Sequence, residues 1–189
     1  MSSLQFPKLR VMRPLALLAA AALSAPGTAL AGSIWSSVGS SGAVDELCLM
    51  AIQADNSEAR LFPGVPFPCT IRYQVNDTFS GLGTPAQLAL FANIRDAGAG
   101  NVVVTLRRYP ITGTNPLGIV VSTINSDAGG TAIGATGFSR FRQPAAAAGC
   151  GFSLDFTANT YWIDVQMTPG ALPALSNLAI GGLQVRQCP

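Results

Sequence analysis

From Cys69 to Gln187 the chain repeats one pattern: short runs rich in Val, Ile, Thr, Phe and Tyr, separated by clusters of Gly, Pro, Asn and Asp. Such spacing belongs to an all-β domain. The runs predict strands at Leu47–Gln53, Thr70–Asn76, Gln87–Arg95, Val102–Tyr109, Ile119–Ile124, Gly137–Gln143, Gly151–Thr157, Tyr161–Thr168 and Leu178–Gln187. About nine strands of this kind suit a two-sheet antiparallel sandwich of jelly-roll type. Turn chemistry supports the breaks. Asp96-Ala-Gly98, Thr112-Gly-Thr-Asn-Pro116 and Asp127-Ala-Gly-Gly130 each offer residues that accept positive φ.

The stretch CGFSLDFTANTYWIDVQM, Cys150 to Met167, alternates most clearly. Phe152, Leu154 and Phe156 share one side of the first predicted strand, and Tyr161, Ile163, Val165 and Met167 one side of the second. Paired as a hairpin through a four-residue loop, Thr157 to Thr160, the strands would set Asp155 opposite Trp162. A two-residue loop would instead set Asp155 against Asp164, a like-charge pair. The preferred register clusters Asp155, Trp162, Asp164 and Gln166 on the outward face.

Two strands behave otherwise. In Leu47 to Ile52 and in Val102-Val103-Val104 apolar side chains occupy both parities, so both faces are expected to be covered. The cover would be the other sheet with the segment Ser33 to Val44, which holds Ile34 and Trp35, or another subunit. Gly181-Gly182 interrupts the alternation between Ile180 and Leu183 and reads as a β-bulge.

The N-terminus stands apart from this pattern. Lys8, Arg10 and Arg13 precede the apolar run Leu15 to Leu23, and Ala29-Leu30-Ala31 closes it with small residues. Residues 1–31 therefore read as a secretory signal peptide. Translation could start at Met1 or Met12. Residues 32–189 then form a single β-sandwich domain, with no membrane span in the mature protein and a secreted or periplasmic location. Export also explains the four cysteines, which can form two disulfides in three pairings. Cys48 with Cys69 and Cys150 with Cys188 is favoured, because the second bridge would pin the C-terminal strand. Without a C-x-x-C spacing or any histidine, no metal site is expected.

Composition narrows the chemistry. Beyond residue 31 there are eight arginines, no lysine and nine acidic residues, a net charge near −1. Balanced charge without a basic run argues against nucleic acid. Only 11% of the chain is charged, against about 25% in ordinary domains. The solvent face must then be largely Ser, Thr, Asn, Gln and Gly, suited to glycan or subunit contact.

Absent histidine removes Ser-His-Asp and Cys-His catalysis, and absent lysine removes Schiff-base chemistry. No cofactor is implied, and the chain is read as not an enzyme. The leading expectation is an exported, non-catalytic β-sandwich with a structural, adhesive or surface-interaction role, as a monomer or a homo-oligomer. The alternative is a carbohydrate-binding module in which Trp162 stacks on a sugar beside Asp155, Asp164 and Gln166, with Arg140 and Arg142 able to hold a carboxylate. A third reading, a glycoside hydrolase using Asp155 and Asp164, requires two carboxyls across a cleft. In Phe138-Ser-Arg140-Phe-Arg142, Phe138, Arg140 and Arg142 point one way and Phe141 the other. Asn125-Ser-Asp127 lacks the acids of a calcium loop and reads as a plain turn.

Overall fold

A computed structural model describes residues 33–78, 87–97, 100–113, 117–127, 137–142, 151–173 and 177–187. Among them run eleven strands: β1 (Ser33–Val38), β2 (Ala43–Val44), β3 (Ile52–Asp55), β4 (Glu58–Leu61), β5 (Cys69–Val75), β6 (Leu88–Ala97), β7 (Asn101–Pro110), β8 (Ile119–Asn125), β9 (Ser139–Arg142), β10 (Asn159–Thr168) and β11 (Asn177–Gln187). The first sheet has the order β3-β4-β11-β6-β9, with β1 also on β11, and the second has the order β2-β5-β10-β7-β8. Every pairing is antiparallel. From β4 onward the chain crosses between the sheets at each connection except β7 to β8.

Alternation accounts for the layers. Cys69, Ile71, Tyr73 and Val75 of β5 face inward, as do Tyr161, Ile163, Val165 and Met167 of β10 and Val102, Val104 and Leu106 of β7. Against them pack Leu88, Leu90, Ala92 and Ile94 of β6 and Leu178, Ile180, Leu183 and Val185 of β11. Ile180 and Leu183 differ in parity, yet both are buried. The expected bulge reconciles them: the β11–β6 register shifts between Ile180 and Gly182. At Gly181 a side chain would press on the Phe138 ring, 3.0 Å from its Cβ position.

The segment Ser33 to Val44 covers the core by joining the sheets as β1 and β2, with Trp35 buried beside Val185. The turn between β1 and β2 is pinned at Gly39, whose carbonyl accepts from the buried Tyr73 hydroxyl.

Two predicted strands are corrected. Leu47–Gln53 is a turn before it is a strand. Cys48 and Ala51 donate to the carbonyls of Asp45 and Cys48, at 2.8 and 2.9 Å, winding a tight 3-10 turn over Glu46–Cys48, and β3 begins only at Ile52. Leu47, Leu49 and Met50, expected to be covered, are exposed. Apolar residues on both parities marked a turn here, and the strand continues instead into a hairpin at Asn56-Ser57. Asn56 takes the positive φ of 32° there, a conformation its short polar side chain tolerates.

Gly151–Thr157, the second case, makes a single bridge, Phe152 with Leu88, and turns away at 156–158. Phe152 and Leu154 are still buried, so the alternation reported burial without a ladder.

Cys48 and Cys69 form a disulfide with Cα atoms 5.5 Å apart, one of the two favoured bridges. Cys150 and Cys188 lie outside the described residues, as do residues 1–31. Among the described residues no helix is long and apolar enough to cross a membrane.

Candidate functional site

The outer face of the second sheet is set by the neighbours of β10, which are β5 and β7 and not the segment 151–157. The expected hairpin is therefore absent. Trp162 lies between Gln74 and Arg107, Asp164 between Arg72 and Thr105, and Gln166 between Thr70 and Val103. Trp162, Asp164 and Gln166 do share the outward side, as their parity requires.

Asp164 is the electrostatic centre of this face, only 13% exposed. One carboxylate oxygen accepts from Arg72 Nε at 2.7 Å and the other from Arg107 Nε at 3.1 Å. Arg107 also donates to the Leu117 carbonyl at 3.1 Å, tying a loop down beside the sheet. The Asp164 hydrogen bond, foremost, raises the Arg72 guanidinium pKa further. With both oxygens engaged by fixed cations, Asp164 cross-links three strands. Trp162 is half-buried beside this cluster. A shallow groove of about 340 Å³ adjoins it, lined by Asp45, Glu46, Thr70 and Arg72 but not by the indole.

Asp155 does not join them. Its Oδ1 accepts from the Thr157 amide at 3.0 Å and the Thr157 hydroxyl at 2.6 Å, while its carbonyl takes the Asn159 amide at 3.1 Å. This is an Asx-type turn, closed by the Tyr161 hydroxyl, which accepts from the Asp155 amide at 2.8 Å. The Thr157 hydroxyl, then its amide, lowers the pKa of this exposed carboxyl. Asp164 lies five residues beyond Asn159 along β10, roughly 16 Å of strand.

Arg140 and Arg142 belong to the other sheet. Arg140 points outward from β9, as predicted, with Ser139 and Phe141 buried behind it. Its Nη2 donates to Gln184 Oε1 at 3.1 Å, and its Cζ sits 4.8 Å from the centre of the Phe91 ring. Arg186 approaches the same ring, with its Cζ at 5.6 Å. Nearby, Arg95 packs over Phe138 at 4.9 Å and pairs with Glu58 at 3.1 Å. The residues singled out in the sequence are thus divided among strands of two different sheets and one turn.

Sequence reasoning missed Phe91, Arg186, Arg72 and Arg107 as partners. Each stands at an outward parity of its strand, but only the strand order shows which strands adjoin. Among the described residues no group of three or more potential metal ligands comes together.

No protein-family model matches the chain, and no curated protein is similar to it. Among solved structures the chain is similar to one described as "Structure of PfGH50B", at 11% identity and a TM-score of 0.39, over 83% of this chain and 23% of that one. The chain thus spans about a quarter of that protein.

Proposed function

We propose that this is an exported, non-catalytic β-sandwich that acts by presenting its outer sheet faces to partners outside the cytoplasm. One observation carries the reading: the two aspartates best placed by sequence for acid–base work have separate structural duties. Asp155 builds a turn and Asp164 bridges two arginines. A glycosidase needs two carboxyls free to face each other across a cleft, and here each is engaged by other groups. The Cys48–Cys69 bridge supports a secreted or periplasmic location. The alternation of β4 to β11 between the orders β4-β11-β6-β9 and β5-β10-β7-β8 supports a jelly-roll path.

The test is incubation of the purified protein with a panel of polysaccharides, reading reducing ends over time. None should appear. Release that disappears in Asp164→Asn would overturn the non-catalytic reading.

A second reading, sugar recognition at Trp162, is favoured by the partial exposure of the indole between Gln74 and Arg107. Under it, Trp162→Ala abolishes any signal on a glycan array. An unchanged signal removes this face from consideration.

A further inference from the structure

We propose that the outer face of the first sheet, centred on Phe91, Arg140 and Arg186, is a binding site for an acidic polysaccharide. The proposal rests on the surface-interaction reading and names its ligand class, but does not involve Trp162.

Charge is the first support. In the strands of this sheet Arg60, Arg95, Arg140 and Arg186 stand outward, against Glu58 and, at the β3–β4 tip, Asp55. Glu58 is engaged by Arg95. The opposite face is different, since there Asp164 serves both Arg72 and Arg107, and Asp45 and Glu46 line the groove beside Arg72. A molecule with about as many acids as arginines has therefore gathered a cationic excess on one side.

The geometry of that excess is specific. Two guanidiniums pack against one ring, 4.8 and 5.6 Å from its centre, each held there by cation–π attraction. Among the described residues the acceptor for Arg140 is an amide oxygen, not a carboxylate. A guanidinium has five N–H donors in a planar fork suited to carboxylate or sulfate oxygens. An anion at Arg140 would meet donors already oriented by Phe91 and Gln184.

The adjoining surface supplies what a sugar chain needs. Along the β1–β11 seam runs a groove of about 330 Å³ whose lining includes Ser36, Ser37, Asn93, Gly182 and Gln184. That volume is at the lower end of ligand sites. Hydroxyl and amide groups can pair with sugar hydroxyls, and Gly182 contributes no side chain of its own to the floor. Gln184 belongs to both parts, lining the groove and accepting from Arg140. An anionic group at the arginines would therefore place the next sugar unit over the groove. Nucleic acid fits less well, because the Phe91 ring is already flanked by guanidiniums and offers no stacking platform for a base.

Affinity measurements on the purified protein can decide this, using polygalacturonate, dextran sulfate, neutral dextran and a single-stranded oligonucleotide as probes. One or both acidic polysaccharides should bind and neutral dextran should not. Arg140→Gln with Arg186→Gln should weaken binding about tenfold or more, the scale of one lost charge-assisted contact. Arg72→Gln, on the opposite face, should change it less than about twofold, and Asn93→Ala should weaken the polymer more than free galacturonate. Preference for polygalacturonate assigns a carboxylate ligand, and preference for dextran sulfate a sulfate ester.

Absent binding, equal loss in Arg72→Gln, or an oligonucleotide bound as tightly as the polysaccharides would overturn the proposal. The first of these leaves the surface-interaction reading standing. Cleavage of a bound polymer would instead remove the non-catalytic reading and leave the site in place.

Discussion

Asp96, near the end of β6, has one carboxylate oxygen buried without a partner among the described residues. Burial raises its pKa above the ordinary 3.8, Asp127 adds to the rise, and a hydrogen bond with Ser126 opposes it. A carboxyl whose folded pKa is raised favours the fold below its ordinary pKa and loses that contribution as pH climbs through the folded value. Asp96→Asn should therefore melt above the parent protein at pH 7, with the difference closing near pH 3. Thermal melts across that window check it, and a constant offset would contradict the burial argument. Residue roles of this kind were only partly legible in the sequence. Parity alone placed Trp162, Asp164 and Gln166 on one side of a strand and Arg140 opposite Phe141. Asp155 escaped it, because Thr157 and Asn159 capture its side chain and carbonyl in a turn that alternation cannot foresee.

At the scale of elements, the turn carrying Cys48 shows how a bridge replaces a ladder. Leu47, Leu49 and Met50 have no sheet to cover them, and the segment is held to β5 by the disulfide. The bridge closes a loop with a sequence separation of 21, for which loss of closure entropy predicts about 3 kcal/mol. Replacing both cysteines by serine should cost roughly that amount in denaturant unfolding. A cost near zero would mean that β2, β3 and β5 hold the turn without it. Strands whose apolar residues alternate strictly, such as β5 and β10, were read to within two residues. The failures at 47–53 and 151–157 share a cause: side chains can be buried singly by a turn against the core, and burial pattern does not require a neighbour strand. The β1 and β4 strands were missed because short, serine-rich or charged segments carry little apolar signal, and only the free edge of β11 recruits them.

For the whole molecule, the two sheets share one core but present unlike outsides. On one, a carboxylate joins two arginines into a cross-link, with Asp45 and Glu46 beside it. On the other, arginines gather about aromatic rings with fewer acids. Strand composition announced the layers, but no local pattern announces which strands become neighbours, so the division of arginines between the faces emerged only with the sheet order. The account depends on Asp155 and Asp164 being independent parts of the structure and not a working pair. A double-mutant cycle of Asp155→Asn and Asp164→Asn, followed by unfolding at several pH values, measures that directly. Additive losses, as expected of sites without shared partners, are the predicted result. Strong coupling between the two substitutions, varying with pH, would contradict it.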